Sequence, residues 1–339
     1  MLEHGGRLRG AAAKYGIDRA QWLDLSSGIA PWSWPIPPIP ASAWERLPET
    51  DDGLEAAARQ YYGAPNLLPV AGSQAAIQAL PRLRQAGKVG VLSPCYAEHA
   101  QAWRSNGFVV REVLEHEVEL FIDSFAVLVV VNPNNPTGLS LTPERLLQWH
   151  ARLAQRGGWL VVDEAFMDNT PQLSLAAQTQ RPGLIVLRSF GKFFGLAGVR
   201  LGFVLAESQF LGILAKQIGP WSVSGPTRIL GQACLDDTDG HRLQRERTER
   251  ASTRLNALLT RFDLAPQGGC ALFQWLITSQ AAALYEFCAQ RGILLRIFPG
   301  DGAFHNGSGH ASVRFGLPRD EVDWVRLEQA LSEFSERPA

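Results

Sequence analysis

Five stretches of this chain are close to unbroken in Val, Ile and Leu. They are KVGVLSP at 88–94, AVLVVVNP at 126–133, WLVVDEAF at 159–166, LIVLRSF at 184–190 and RLGFVLA at 200–206. None alternates apolar with polar, so each reads as a strand covered on both faces. That is the pattern of a mainly parallel sheet flanked by helices. Helical periods fall between and before the runs. One covers Leu54 to Tyr62 and is stopped by Gly63 and Pro65. Another opens near Ser73, after a glycine turn in VAGSQAAIQAL, and a third covers 143–156 with Thr142 as N-cap and Pro143 at its first position. The middle of the chain is therefore expected to be an α/β domain.

The two ends follow other patterns. After about Asp237 a charged amphipathic helix, HRLQRERTERASTRLNALLTRF, leads into short strands near Leu272–Leu276, Ile293–Phe298 and Ala311–Phe315. This reads as a smaller α+β unit. Near the start, residues 22–40 contain PWSWPIPPIP, which can be neither helix nor central strand. An extended arm over an apolar surface is expected, since a loose tail would leave Trp32, Trp34 and Trp44 exposed. The division expected is an arm over 1–45 that packs with the smaller unit, a large domain over 46–236 and the small domain over 237–339.

Composition narrows the function. The chain has 339 residues, 46% hydrophobic and 19% charged, with 32 Lys+Arg against 33 Asp+Glu. A net charge of −1 gives no support for a partner that is nucleic acid or membrane surface. Cys95, Cys234, Cys270 and Cys288 are too scattered for a zinc site or a disulfide framework, so a reducing cytoplasm and no metal are expected. No apolar leader and no run long enough to span a bilayer stand out.

The expected strand ends carry the chemistry, which is where open α/β sheets bind ligands. They read Ala71-Gly72-Ser73-Gln74, Pro94-Cys95-Tyr96, the NPNNPTG run at 132–138, Asp163-Glu164-Ala165-Phe166 and Ser189-Phe190-Gly191-Lys192. Taken alone, Lys192 reads more readily as a surface lysine with its stem laid on apolar neighbours. Its company changes that reading. Ser189, Arg200 and a helix start at Gly72-Ser73 suit a phosphate dianion. Asp163 ends an apolar run and needs a cationic partner, which a pyridinium nitrogen would be. Asn135 offers an amide donor to a phenolic oxygen, and Tyr96 offers a flat ring. One ligand satisfies every position: pyridoxal 5′-phosphate, with Lys192 as its Schiff-base lysine.

These motifs resemble the aminotransferase-like, fold type I pyridoxal-phosphate enzymes over nearly the whole chain, most closely from Ala71 to Phe203. The resemblance implies that fold, with a large domain, a smaller α+β domain and a homodimer. It implies that Lys192 binds the cofactor aldehyde, Asp163 pairs the ring nitrogen and Asn135 contacts the phenolic oxygen. Ser189, Arg200 and the Gly72-Ser73-Gln74 backbone would hold the phosphate, with Tyr96 on the ring face. Within the superfamily, His4-Gly5-Gly6, Leu23-Asp24-Leu25-Ser26 and DEAF are similar to the threonine-phosphate decarboxylase group of cobalamin biosynthesis. Histidinol-phosphate aminotransferases are the alternative, and a non-catalytic cofactor-binding protein is a third. In this reading Arg314 takes the substrate α-carboxylate with help from Arg296, and His4, Gly5 and Gly6 meet the substrate phosphate. Three departures stand out. Gly191 replaces a second phosphate-binding serine. Leu47 stands where relatives place a tyrosine that reaches the neighbouring subunit. Phe166 replaces a tyrosine near the phenolic oxygen.

Decarboxylation and transamination use the same residues. They differ in whether the carboxylate or the hydrogen at Cα stands perpendicular to the cofactor ring, and sequence does not fix that rotation.

Overall fold

The computed structural model describes residues 4–85, 87–300 and 310–337. In chain order its strands are β1 (Leu23–Asp24), β2 (Leu67–Val70), β3 (Lys88–Leu92), β4 (Val109–Val113), β5 (Val127–Val131), β6 (Trp159–Asp163), β7 (Leu184–Ser189) and β8 (Gly202–Leu205), followed by β9 (Gly268–Cys270), β10 (Phe273–Ile277), β11 (Ile293–Leu294), β12 (Arg296–Phe298) and β13 (Ser312–Gly316). The chain divides into two compact units. One comprises Met1–Trp32, Pro136–Leu139 and Gln244–Ala339; the other comprises Ser33–Asn135 and Ser140–Leu243. The expected arm, 1–45, is thus shared between units, and the boundary at Leu243 falls inside the helix Thr238–Arg261.

The unit of 33–135 and 140–243 holds a seven-stranded sheet in the order β2-β8-β7-β6-β5-β3-β4. β8 alone runs against its neighbours, and every other pairing is parallel. Both faces are covered, and strand periodicity sorts the side chains between them. Leu128, Val130, Leu160, Val162 and Val186 belong to one buried cluster, while Val127, Val129, Val161, Ile185 and Leu187 belong to another. This is why the runs are continuously apolar. Ser33 and Trp34 of the proline-rich segment also belong here. Trp34 is buried, but Trp44 is 69% exposed, contrary to the expected covering. Trp44 sits on the helical turn Ser42–Glu45, whose backbone lies against the start of the helix Gly225–Asp236. A Cβ on Gly225 would lie 2.5 Å from the Ala43 carbonyl oxygen.

The other unit is built on a four-stranded antiparallel sheet, β12-β13-β10-β9, and a separate parallel pair, β1-β11. The strand expected over Ile293–Phe298 is two strands. Leu294 pairs with Asp24, Arg296 pairs with Arg314, and the chain changes sheet at Leu295. The N-terminal helix Leu8–Tyr15 packs with Trp22, Ala289 and Leu294.

Candidate active site

Register brings the chemistry of the seven-stranded sheet to one edge. Val70 pairs with Gly202, Ser189 with Gly202, Asp163 with Leu187 and Val131 with Asp163. Because β8 is antiparallel, it begins where its neighbours end, so Arg200 joins residues that follow the other strands. Phosphate-type donors lie on β2, β8 and β7, the carboxylate on β6, the amide after β5 and the aromatic ring after β3. Strands are spaced by roughly 4.8 Å, so this order stretches an anion site, a lysine and a carboxylate across adjacent strands.

At the anion end, Gly72 has φ 76°, which favours glycine. A Cβ there would lie 2.6 Å from Nη2 of Arg200, and a Cβ on Gly202 would lie 2.6 Å from the Ser73 amide nitrogen. Glycine at both positions therefore lets the guanidinium, the Ser73 amide and the β8 backbone crowd together. Arg200 itself adopts φ 57°, a left-handed conformation that costs an arginine roughly 1–3 kcal/mol. Its Nη1 donates to the Ala197 carbonyl at 3.3 Å.

Toward the sheet centre, Asp163 is 3% exposed, and its Oδ1 accepts from the Ala165 amide at 3.1 Å. Its Oδ2 lies 2.8 Å from Nε2 of His99, a contact the sequence did not disclose. His99 is buried on the helix Glu98–Ser105 and meets the Tyr96 ring edge-on at 6.1 Å. Tyr96 donates to Gln74 Oε1 at 3.2 Å. Burial, followed by the charges of Glu98 and Asp163, pushes its phenol up to about 12, so it stays protonated. Asn135 is half-buried in a loop braced by Asn132, whose side chain exchanges two hydrogen bonds with the backbone of Leu141.

Lys192 lies on the single helical turn Phe190–Phe193, with Nζ 5.9 Å from the centre of the buried Phe166 ring. The chain has four lysines; Lys14, Lys88 and Lys216 are exposed and Lys192 is half-buried. Gly191 has a steric reason. A Cβ would lie 2.6 Å from Cα of Ala197, so this packing excludes the serine of many relatives.

Adjacent carboxylates take opposite roles. Asp163 faces His99, whereas Glu164 turns to the other face and binds Arg188 at 2.8 Å. Arg188 also binds Asp168 at 3.0 Å, and Ser174 and the Leu175 amide donate to Glu164. Burial raises the Glu164 carboxyl, while the two carboxylates hold the Arg188 guanidinium above its ordinary value.

The substrate candidates lie in the unit that contains β10 to β13. Arg296 and Arg314 are directly opposed on β12 and β13. Like charges so placed are destabilising. Arg314 is buried and donates to the Ser26 carbonyl at 2.8 Å. Burial first, and then Arg296, push its guanidinium down to about 10. A Cβ on Gly5 would lie 2.3 Å from the same Ser26 carbonyl, and the Gly6 amide donates to Ser26 Oγ at 2.7 Å. Ser26 Oγ in turn donates to Asp24 at 2.6 Å. The two glycines thus meet Arg314 through Ser26, a link missing from the sequence reading; His4 is exposed.

Pyridoxal 5′-phosphate fits the strand-end set. The glycine cradle beside Arg200 suits a phosphate, the buried Asp163 suits a protonated ring nitrogen, and a half-buried lysine suits an aldehyde. The fold and these residues define a class, and comparison with known proteins gives the same one. The family model for aminotransferase class I and II matches residues 42–315, and the chain belongs to that family. It is 62% identical over 336 residues to a threonine-phosphate decarboxylase from Pseudomonas aeruginosa, covering 99% of each chain. A threonine-phosphate decarboxylase from a Sinorhizobium species is 43% identical over 98% of each chain. The solved histidinol-phosphate aminotransferase of Sinorhizobium meliloti, in complex with pyridoxal 5′-phosphate, superposes with a TM-score of 0.80. It is 19% identical, over 98% of this chain and 95% of that one.

Proposed function

We propose that this chain is a pyridoxal-phosphate lyase that decarboxylates L-threonine phosphate to aminopropanol phosphate, a step of cobalamin biosynthesis. The likeness to two threonine-phosphate decarboxylases over almost the full length supports the substrate. The observation that carries the chemistry is the strand-end set around Lys192. The opposed Arg296 and Arg314, against the Gly5-Gly6 segment on Ser26, suit a small substrate with two anionic groups.

When bound, the cofactor supplies an electron sink for the pair left when a bond at Cα breaks. Lys192 would hold its aldehyde, and Ser189, Arg200 and the backbone of Gly72, Ser73 and Gln74 its phosphate. Asp163 would keep a proton on the ring nitrogen, with His99 fixing the carboxylate. Asn135 would donate to the phenolic oxygen, and Tyr96 would cover a ring face. Arg314 would hold the substrate carboxylate, and the Lys192 amine would return a proton to Cα.

No helix among the described residues is long and apolar enough to cross a membrane. The free cysteines support a cytoplasmic enzyme. A homodimer is supported by Ile36, Trp44, Leu47 and Trp221, each more than half exposed on one unit. Leu47 has no polar group with which to reach a partner's cofactor phosphate.

The test is to incubate the purified holoenzyme with L-threonine phosphate and follow CO₂ release alongside amino transfer to a 2-oxo acid. Stoichiometric CO₂ without transfer is expected. Transfer from histidinol phosphate without CO₂ from threonine phosphate would overturn the assignment.

A further inference from the structure

Lys192 sits on one helical turn, too short to fix its own geometry. Its neighbours Phe190, Phe193 and Phe194 are all buried, and Phe190 stacks on Phe194 at 4.3 Å and 15°. The turn is then held from outside by the proline-rich segment. The Trp34 amide donates to the Phe194 carbonyl at 3.0 Å, and Ser33 Oγ donates to the Gly195 carbonyl at 3.2 Å. The Trp34 ring meets Phe194 edge-on at 4.8 Å and lies 6.0 Å from Phe193 and 5.6 Å from His241. Its indole N–H donates to Asp237 at 3.1 Å, and a Cβ on Gly240 would come within 2.5 Å of the ring. The main chain and side chain of Trp34 are therefore both committed to the segment just after the lysine.

We propose that Ser33 and Trp34 are positioning residues for Lys192, fixing the turn that aims its amine. This rests on the proposed role of Lys192 as the cofactor-binding lysine. Packing alone would need only an apolar side chain on Phe193 and Phe194. Here two hydrogen bonds also hold consecutive carbonyls at the end of the lysine turn, and the indole is itself anchored by Asp237.

The experiment uses cofactor-stripped protein and holoenzyme of the wild type, Trp34→Ala, Trp34→Phe and Ser33→Ala. In stripped protein, the labelling rate of each lysine by trinitrobenzenesulfonate at one fixed pH is read by peptide mapping. In parallel, the association rate of pyridoxal 5′-phosphate and the visible circular dichroism of the holoenzyme are recorded. Trp34→Ala should change Lys192 labelling and slow association by about tenfold, less than the ~10²-fold that a misplacement of about 1 Å can cost. Lys14, Lys88 and Lys216 should label as before. Trp34→Phe, which keeps an aromatic ring but loses the bond to Asp237, should fall between Trp34→Ala and the wild type, and Ser33→Ala, at an exposed position, should show a smaller change in the same direction. A folded Trp34→Ala protein with wild-type labelling, association and dichroism would overturn the proposal. Should Trp34→Ala fail to fold, wild-type values in Ser33→Ala would overturn it instead. Borohydride fixation of the cofactor to a lysine other than Lys192 in the wild type would refute the cofactor assignment, a separate outcome.

Discussion

Arg188 and Arg314 are both buried, at 1% and 6% exposure, yet their surroundings treat them oppositely. Arg188 is enclosed by Glu164 and Asp168, with the Tyr62 ring 4.5 Å from its guanidinium, and its charge is favoured. Arg314 donates to a backbone carbonyl and faces Arg296, and its charge is disfavoured. The first arrangement is complete as it stands. The second holds a guanidinium whose charge is disfavoured beside a like charge, which is the surrounding expected of a residue that meets an anionic substrate, the role proposed for Arg314.

The largest effect is expected at Lys192, the proposed attachment point of the cofactor. Lys192→Ala should lower kcat for threonine phosphate by at least ~10³-fold, since one group supplies both attachment and proton transfer. Steady-state CO₂ assays check this. Next, the arginine comparison breaks if the two residues respond alike. Arg188→Met leaves Glu164 and Asp168 buried beside no guanidinium and should reduce unfolding free energy by ~3–5 kcal/mol in urea. Arg314→Met should leave stability unchanged or raise it, while KM rises roughly 30-fold or more, from the ~2 kcal/mol or more that a buried charge contact carries in binding.

The pH dependence sharpens the same contrast. The folded value of Arg314, about 10, lies below that of an ordinary guanidinium. The penalty on the folded state is therefore full below about 10 and is relieved as pH rises above it. Substrate affinity should move the other way, falling once the pH passes about 10, and an affinity flat through that window would contradict the account. The smallest effect is expected at His99. His99→Gln weakens the brace on Asp163 but keeps a donor, and should cost about 0.5–1.5 kcal/mol of cofactor binding, measured by equilibrium titration with pyridoxal 5′-phosphate.

Much of the seven-stranded unit was legible because its signals are local. Continuous apolar runs gave five of its strands, and the chemistry follows each run within a few residues. Asp163 and Asn135 could be proposed from the runs they follow, whereas Lys192 stood out only beside the other strand ends. His99 could not, because its contact with Asp163 spans 64 residues. Ser26 and Arg314 are 288 residues apart, so the link between the N-terminal glycines and β13 had no sequence signature. The opposite duties of Asp163 and Glu164 follow from strand alternation, but the partner that gives Glu164 its duty, Arg188, lies on another strand. The break at Leu295 was also hidden, since both halves of Ile293–Phe298 are apolar enough for one strand.

The most direct test of the central claim is borohydride reduction of the holoenzyme followed by peptide mapping. With four lysines in the chain, the assignment is unambiguous. A reduced cofactor on the peptide containing Lys192, with Lys14, Lys88 and Lys216 unmodified, is the expected result. Fixation to any of those three, or none at Lys192 in protein that carries the cofactor's absorbance, would contradict it.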